Sequence, residues 1–232
     1  MRRGLFCSSL LVATIGAPLL ATAAPATEPQ VPSIPALQRF LEIEYGVIHQ
    51  ATTLRHLEAR NEHFDTEAWM DVRTDADATG FRYTVLAEGG SGMVRNKALR
   101  GALDQEKRAW SEGQATRSWF TAANYVFADA GSDAEGLARV TVTPRRRDTL
   151  LVDGSIFLRP SDGALMRIEG ALAKSPSFWT RRIMLVRHYG TINGVQLPVA
   201  VESTAQIRIA GRSTFHMRYT YERVNGVPVE PR

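Results

Sequence analysis

Residues 192–222 read INGVQLPVAVESTAQIRIAGRSTFHMRYTYE, and their two-residue period decides the fold. Val195, Leu197, Val199, Val201 and Ser203 alternate with Gln196, Pro198, Ala200, Glu202 and Thr204. Past a turn at Ala210-Gly211-Arg212, Ser213, Phe215, Met217, Tyr219 and Tyr221 alternate with Thr214, His216, Arg218, Thr220 and Glu222. Successive side chains on a strand point to opposite faces, so this is the signature of half-buried antiparallel strands. Asn193-Gly194 marks a tight hairpin before the first of them. The same period extends outward. Phe178 to Tyr189 reads as a strand. Ala164, Met166, Ile168 and Leu172 follow a turn at Pro160-Ser161-Asp162-Gly163, and Leu150, Val152, Ile156 and Leu158 precede it. Val140 and Val142 close an earlier strand. In 79–88, Phe81, Tyr83, Val85 and Ala87 share a face, and 64–74 and 53–60 read as strands before them. The expectation is about ten strands, with turns every 8–12 residues or so.

Two segments switch to helical spacing. Leu37, Phe40, Leu41, Glu44 and Ile48 predict an amphipathic helix over 35–48, begun by Ser33 and Pro35. After the Gly89-Gly90-Ser91-Gly92 break, Val94, Ala98, Ala102 and Ala109 recur with Leu99, Leu103 and Trp110 over 93–112, with a weak point at Gly101. Residues 113–122 read as a loop or a short helix. A large twisted sheet curls or is covered. The fold class expected is therefore mainly β (α+β): a curved antiparallel half-barrel with one or two helices covering the concave face. A concavity not filled by the helices is an apolar cleft able to hold an apolar ligand. Phe81, Tyr83, Val85, Met166, Ile168, Phe215 and Met217 are the candidate cavity-lining, ligand-binding residues.

The first residues carry a different signal. Arg2 and Arg3 precede an apolar run from Leu5 to Leu20, and Ala21-Thr22-Ala23 has the small residues of a cleavage site. The run is short and interrupted for a membrane span, which needs about 20 apolar residues. The division expected is a signal peptide over 1–23, a Pro/Ala-rich linker over 24–35 and one β domain over 36–232, exported and periplasmic. Cys7 is the only cysteine, so cleavage leaves a chain without thiol or disulfide chemistry. The formal charge is +4, two of it from Arg2 and Arg3, and bases alternate with acids along the chain. No clustered basic face marks a nucleic-acid partner. Arg145-Arg146-Arg147 is the one basic run. It reads as a solvated turn, or as a contact for anionic lipid or a partner.

No catalytic constellation stands out. None of the five histidines forms the H-x-x-x-H or H-x-H spacing of a local metal site. Gly90-Ser91-Gly92 is not a nucleophile elbow. Glu169, Glu202 and Glu222 lie near Arg167, Arg187, Arg208 and Arg218 in pattern, which cross-strand ion pairs on a solvent face explain as well as paired catalytic carboxylates do. No catalytic residue, metal or cofactor is assigned, and the chain is expected not to be an enzyme. A secreted hydrolase is the distant alternative.

The stretch Arg167-Ile168-Glu169-Gly170-Ala171-Leu172-Ala173-Lys174-Ser175-Pro176-Ser177-Phe178-Trp179 with Val186-Arg187-His188-Tyr189, and Gly211-Arg212-Ser213-Thr214-Phe215 leading to Tyr219 and Tyr221, resemble exported outer-membrane lipoprotein-sorting-like proteins. These are similar to the lipoprotein carriers and receptors of the LolA, LolB and RseB type. The resemblance implies an open β half-barrel with a helical lid over a hydrophobic cavity, and no cofactor. The function it implies is carriage of lipoprotein acyl chains or another lipidic ligand. A sensor or interaction domain of the envelope, binding a protein partner and no cargo, is the alternative. Transient membrane contact is compatible with both.

Overall fold

The computed structural model describes residues 32–43, 48–111, 120–175, 178 and 180–230. The expected signal peptide, the linker up to residue 31, residues 112–119 with Trp119, and Trp179 lie outside them. The described strands are β1 (Ala51–Asn61), β2 (Thr66–Asp77), β3 (Gly80–Gly90), β4 (Tyr125–Ser132), β5 (Ala138–Pro144), β6 (Val152–Leu158), β7 (Leu165–Leu172), β8 (Thr180–Ile192), β9 (Val195–Ile207), β10 (Gly211–Val224) and β11 (Val227–Pro228). They form one 11-stranded sheet in the order β3-β2-β1-β10-β9-β8-β7-β6-β5-β4, with β11 added to β10. Neighbours are antiparallel throughout. β3 and β4 end the sheet without pairing to each other, so it is an unclosed, curved half-barrel, mainly β as the alternation implied.

The β8–β9 turn uses Asn193 and Gly194 at φ 49° and 76°, the left-handed pair that a two-residue hairpin requires. Asn225 and Gly226 repeat the device at φ 51° and 80° and fold β11 back onto β10.

The chain leaves the sheet at the β3 edge and re-enters at the β4 edge, and its helices lie between. They are α2 (Gly92–Val94), a π-helical segment (Arg95–Arg100) and α3 (Gly101–Ser111). The Ser91 side chain caps the start by accepting from the Val94 N–H at 3.5 Å. The π-helical segment ends at Gly101, where the sequence marked a weak point. The first helix, α1 (Pro35–Glu42), is shorter than the 35–48 expected, because Ile43 turns to extended backbone.

Each helical segment caps part of the concave face. Leu37 of α1 is fully buried with Tyr125, Val140, Val142, Ile156 and Leu158. Leu99 and Leu103 are fully buried against Leu57, Met70, Val72 and Phe81. Each such side chain contributes about 1.5–3 kcal/mol of apolar burial. α1 seats on the β6–β7 turn, where Gly163 (φ 77°) brings its backbone so close that a Cβ would stand 2.6 Å from the Phe40 nitrogen. The two covers meet different strands. α1 rests on β6, and the α2–α3 segment rests on β1, β2 and β3. The middle of the concave face, over β8, β9 and β10, lies between them.

Candidate functional site

Cross-strand register identifies which side chains this strip presents on the concave side. Arg187 of β8 stands opposite Val201 of β9, and Val201 opposite Met217 of β10. Leu185 stands opposite Ser203, and Ser203 opposite Phe215. Arg55 of β1 pairs with Tyr219, and Thr53 with Tyr221. Leu185, Val201 and Met217 are buried and form the apolar floor of the strip, which carries a band of arginine and tyrosine at one side.

That band is ordered by named contacts. Arg55, only 6% exposed, donates from both terminal nitrogens to the Glu106 carboxylate of α3 at 2.5 and 3.0 Å. Its Nε donates to Thr74 Oγ1 at 3.1 Å, and Thr74 donates onward to the Thr53 carbonyl. The guanidinium also lies over the rings of Phe81 (5.3 Å) and Tyr219 (4.8 Å). Burial opposes the Arg55 charge, but the hydrogen bonds and charge of Glu106 outweigh it and raise the pKa. Tyr219 and Tyr221 stack with centroids 6.2 Å apart, and the Tyr221 hydroxyl donates to the Pro198 carbonyl at 2.9 Å. Burial pushes the Tyr219 phenol up to about 12, and that of Tyr221 further. Both are neutral hydrogen-bonding groups at any physiological pH.

The candidate residues read from alternation divide by position. Phe81 is buried under the Arg55 guanidinium. Tyr83 and Val85 pack at the edge of the α2–α3 core, where Tyr83 donates to Asp104 at 3.3 Å. Ile168 is buried in the core that α1 covers. Met217 is buried in the α2–α3 core, and half-buried Phe215 packs against that core and borders the strip. Met166 falls in a β-bulge, which brings Leu165 opposite Leu158 and leaves Met166 against the Arg159 guanidinium at 3.2 Å. Sequence reasoning missed Arg55, Glu106 and Arg187. A charge at an inward register, in Thr53-Arg55-Leu57 and in Leu185-Arg187-Tyr189, was the available signal.

The convex face is different in kind. Arg167 there has Glu169 at 2.6 Å, Asp133 at 2.8 Å and Glu135 at 3.5 Å, and Arg73 pairs with Glu222 at 3.1 Å. These are the solvent-face ion pairs the sequence implied for Arg167, Glu169 and Glu222. His56 lies between Asp71 at 2.6 Å (Nδ1) and Glu58 at 3.2 Å (Nε2) and stacks on Trp69. The Asp71 hydrogen bond, ahead of the opposing burial and the Glu58 bond, raises the His56 pKa above 6.5. A raised folded-state pKa contributes stability fully below the unfolded value, lost as pH rises through the folded one. A proton-detected titration should place His56 above 6.5, and Asp71→Asn should return it toward that value. An unshifted His56 in the wild type contradicts the geometry. A shallow hollow nearby, lined by Glu58, Arg60, Glu67, Trp69, Gly90 and His216, is open and charged. Among the described residues no group of three His, Cys, Asp or Glu side chains is placed to hold a metal ion. No described helix is long and apolar enough to cross a membrane.

The architecture is that of an open antiparallel half-barrel with helices over its concave side. Three solved structures are similar to it. One is a LolA superfamily protein from Nitrosomonas europaea (TM-score 0.40, 10% identity, 80% of this chain and 90% of that one). Another is an outer membrane lipoprotein-sorting protein domain from Vibrio parahaemolyticus (0.37, 9%, 82% and 90%). The third is a DUF1329 family protein from Desulfovibrio piger (0.37, 7%, 80% and 88%). No family model matches the chain, and no curated protein matches it.

Proposed function

We propose that the chain is an exported, periplasmic binding or carrier protein for lipidic molecules, such as lipoprotein acyl chains, and that one end of its sheet touches membranes transiently. It acts by binding, without a cofactor and without catalysis. The observation that supports this reading is the strip over β8, β9 and β10, where the two cores meet at buried Leu185, Val201 and Met217 while Phe215 and Tyr219 stay half-buried and Arg187 exposed. Three strands spaced about 4.8 Å apart make a strip roughly 10 Å wide, room for an extended hydrocarbon chain. Burying a chain gains about 0.8 kcal/mol per CH₂, so about ten methylenes give roughly 8 kcal/mol before ordering costs. Native mass spectrometry of the exported protein should recover lipid adducts, and the delipidated protein should take up a fluorescent fatty acid. Neither adduct nor uptake, with one envelope protein enriched in a pulldown, overturns the reading in favour of an interaction domain.

The membrane contact is supported by an asymmetry between the two ends of the sheet. The end with the β1–β2 and β9–β10 turns carries Phe64, Met93, Phe178 (73% exposed) and Ile209 (70%). Around them Arg147, Arg181, Arg182 and Arg208 are exposed, with no carboxylate in ion-pair range among the described residues. The Arg208 guanidinium lies over the Phe178 ring at 4.4 Å. The opposite end presents Asp77, Asp133 and Asp162 in its turns. Basic side chains near an anionic bilayer are worth about 1 kcal/mol each, and exposed apolar tips add insertion. Co-sedimentation with vesicles containing phosphatidylglycerol should exceed that with phosphatidylcholine vesicles and fall in an Arg181→Glu/Arg182→Glu variant. Equal sedimentation with both vesicles contradicts it.

A further inference from the structure

We infer that the strip holds a headgroup subsite and that the preferred ligand is an amphiphile with an anionic head, a carboxylate or phosphate ester on an apolar chain. This rests on the reading of the strip as a lipid site. Arg187 faces the concave side, opposite Ile168 of β7 and Val201 of β9, both apolar. It is exposed to solvent. Among the described residues its one hydrogen-bond partner is the Tyr189 hydroxyl, to which it donates at 3.5 Å, and no carboxylate lies in ion-pair range of it. The contrast with Arg167 is direct, since three carboxylates meet that guanidinium on the convex side.

The carboxylate whose charge reaches Arg187, Glu106 of α3, is held by both terminal nitrogens of Arg55. Among the described residues, two guanidiniums and one carboxylate therefore leave one positive charge unneutralised on this face. The Arg187 guanidinium is charged at any physiological pH. The Tyr219 hydroxyl has no hydrogen-bond partner among the described residues. A planar fork of N–H donors matches a carboxylate or phosphate group in two parallel bonds, and a phenol beside it can donate a third. Half-buried Ile183, Ser203, Ala205 and Phe215 continue the surface away from the head, over a buried floor of Leu185, Val201 and Met217. An uncharged apolar ligand would leave the Arg187 charge without compensation.

Displacement of the uncharged reporter N-phenylnaphthylamine from the exported, delipidated protein tests this. Dodecanoate and dodecyl phosphate should displace it at about tenfold lower concentration than dodecanol, the worth of one charge-assisted pair. Arg187→Gln should close that gap while leaving the dodecanol midpoint within about twofold, and Arg187→Lys should restore part of it. Inorganic phosphate alone should displace nothing. Equal midpoints for acid and alcohol in the wild type, or a gap unchanged in Arg187→Gln, overturn the headgroup subsite while the strip stands. Competition by inorganic phosphate alone overturns it in favour of a free-anion site. A reporter that does not bind overturns the strip itself. Matching thermal unfolding of wild type and variants separates these results from misfolding.

Discussion

Glu106→Gln should lower the unfolding free energy by about 3 kcal/mol, the low end of the cost of breaking a buried ion pair by removing one partner. The low end applies because the Glu106 side chain is 37% exposed whereas that of Arg55 is 6% exposed. The change removes the charge opposite a buried guanidinium and turns one of its two acceptor oxygens into an amide donor, leaving Thr74 Oγ1, one amide oxygen and two aromatic faces. The reverse change, Arg55→Met, leaves a carboxylate that water can reach, so it should cost clearly less. Urea unfolding of both variants measures the asymmetry. Because Glu106 ties α3 to β1, the loss should also appear as faster amide exchange in α3. Equal small losses for the two variants would mean that the pair contributes no more than a surface salt bridge.

Gly154→Ala should be at least as damaging, on the order of 4 kcal/mol or more, in the range reserved for forced overpacking. Gly154 of β6 and Gly170 of β7 stand opposite each other in register. A Cβ on Gly154 would lie 2.1 Å from the Glu169 carbonyl oxygen and 2.5 Å from the Gly170 Cα, both backbone atoms of the neighbouring strand. No side-chain rotation relieves that contact, so the strands must separate. Ser155 beside it has its partner on the convex side, Arg139 at 3.1 Å, so Ser155→Ala is a mild control at the same place. Urea midpoints should move far for Gly154→Ala and little for Ser155→Ala. A midpoint within the error of wild type for Gly154→Ala contradicts the close approach.

The strands were legible because their period is written in residues that cannot be moved. A one-residue slip in β9 or β10 would expose Val201 and Met217 and bury Glu202 and Arg218. Asn193-Gly194 fixes one hairpin by φ alone. β4 was harder, since only Tyr125 and Phe127 alternate before Ala128-Asp129-Ala130-Gly131 takes over. Bulges were not legible either. The one at Leu165–Met166 exchanges which side chain meets the core, and nothing in the local composition marks it. The site was half legible for a related reason. Alternation tells which residues point inward. It does not tell which inward positions the helices then cover, and Phe81 and Ile168 are under cores while Arg187 is not. Arg55 and Arg187 looked like ordinary polar positions, because a sequence pattern does not distinguish a guanidinium paired on the solvent side from one facing a concavity.

We propose that a lipidic ligand lies along the strip over β8, β9 and β10. Photo-crosslinking with a diazirine fatty acid, followed by peptide mapping, tests it most directly. Adducts should concentrate on residues 183–189, 199–205 and 215–221, and excess unlabelled fatty acid should abolish them. Adducts spread over convex-face peptides and insensitive to competitor, or none at all, would contradict the account.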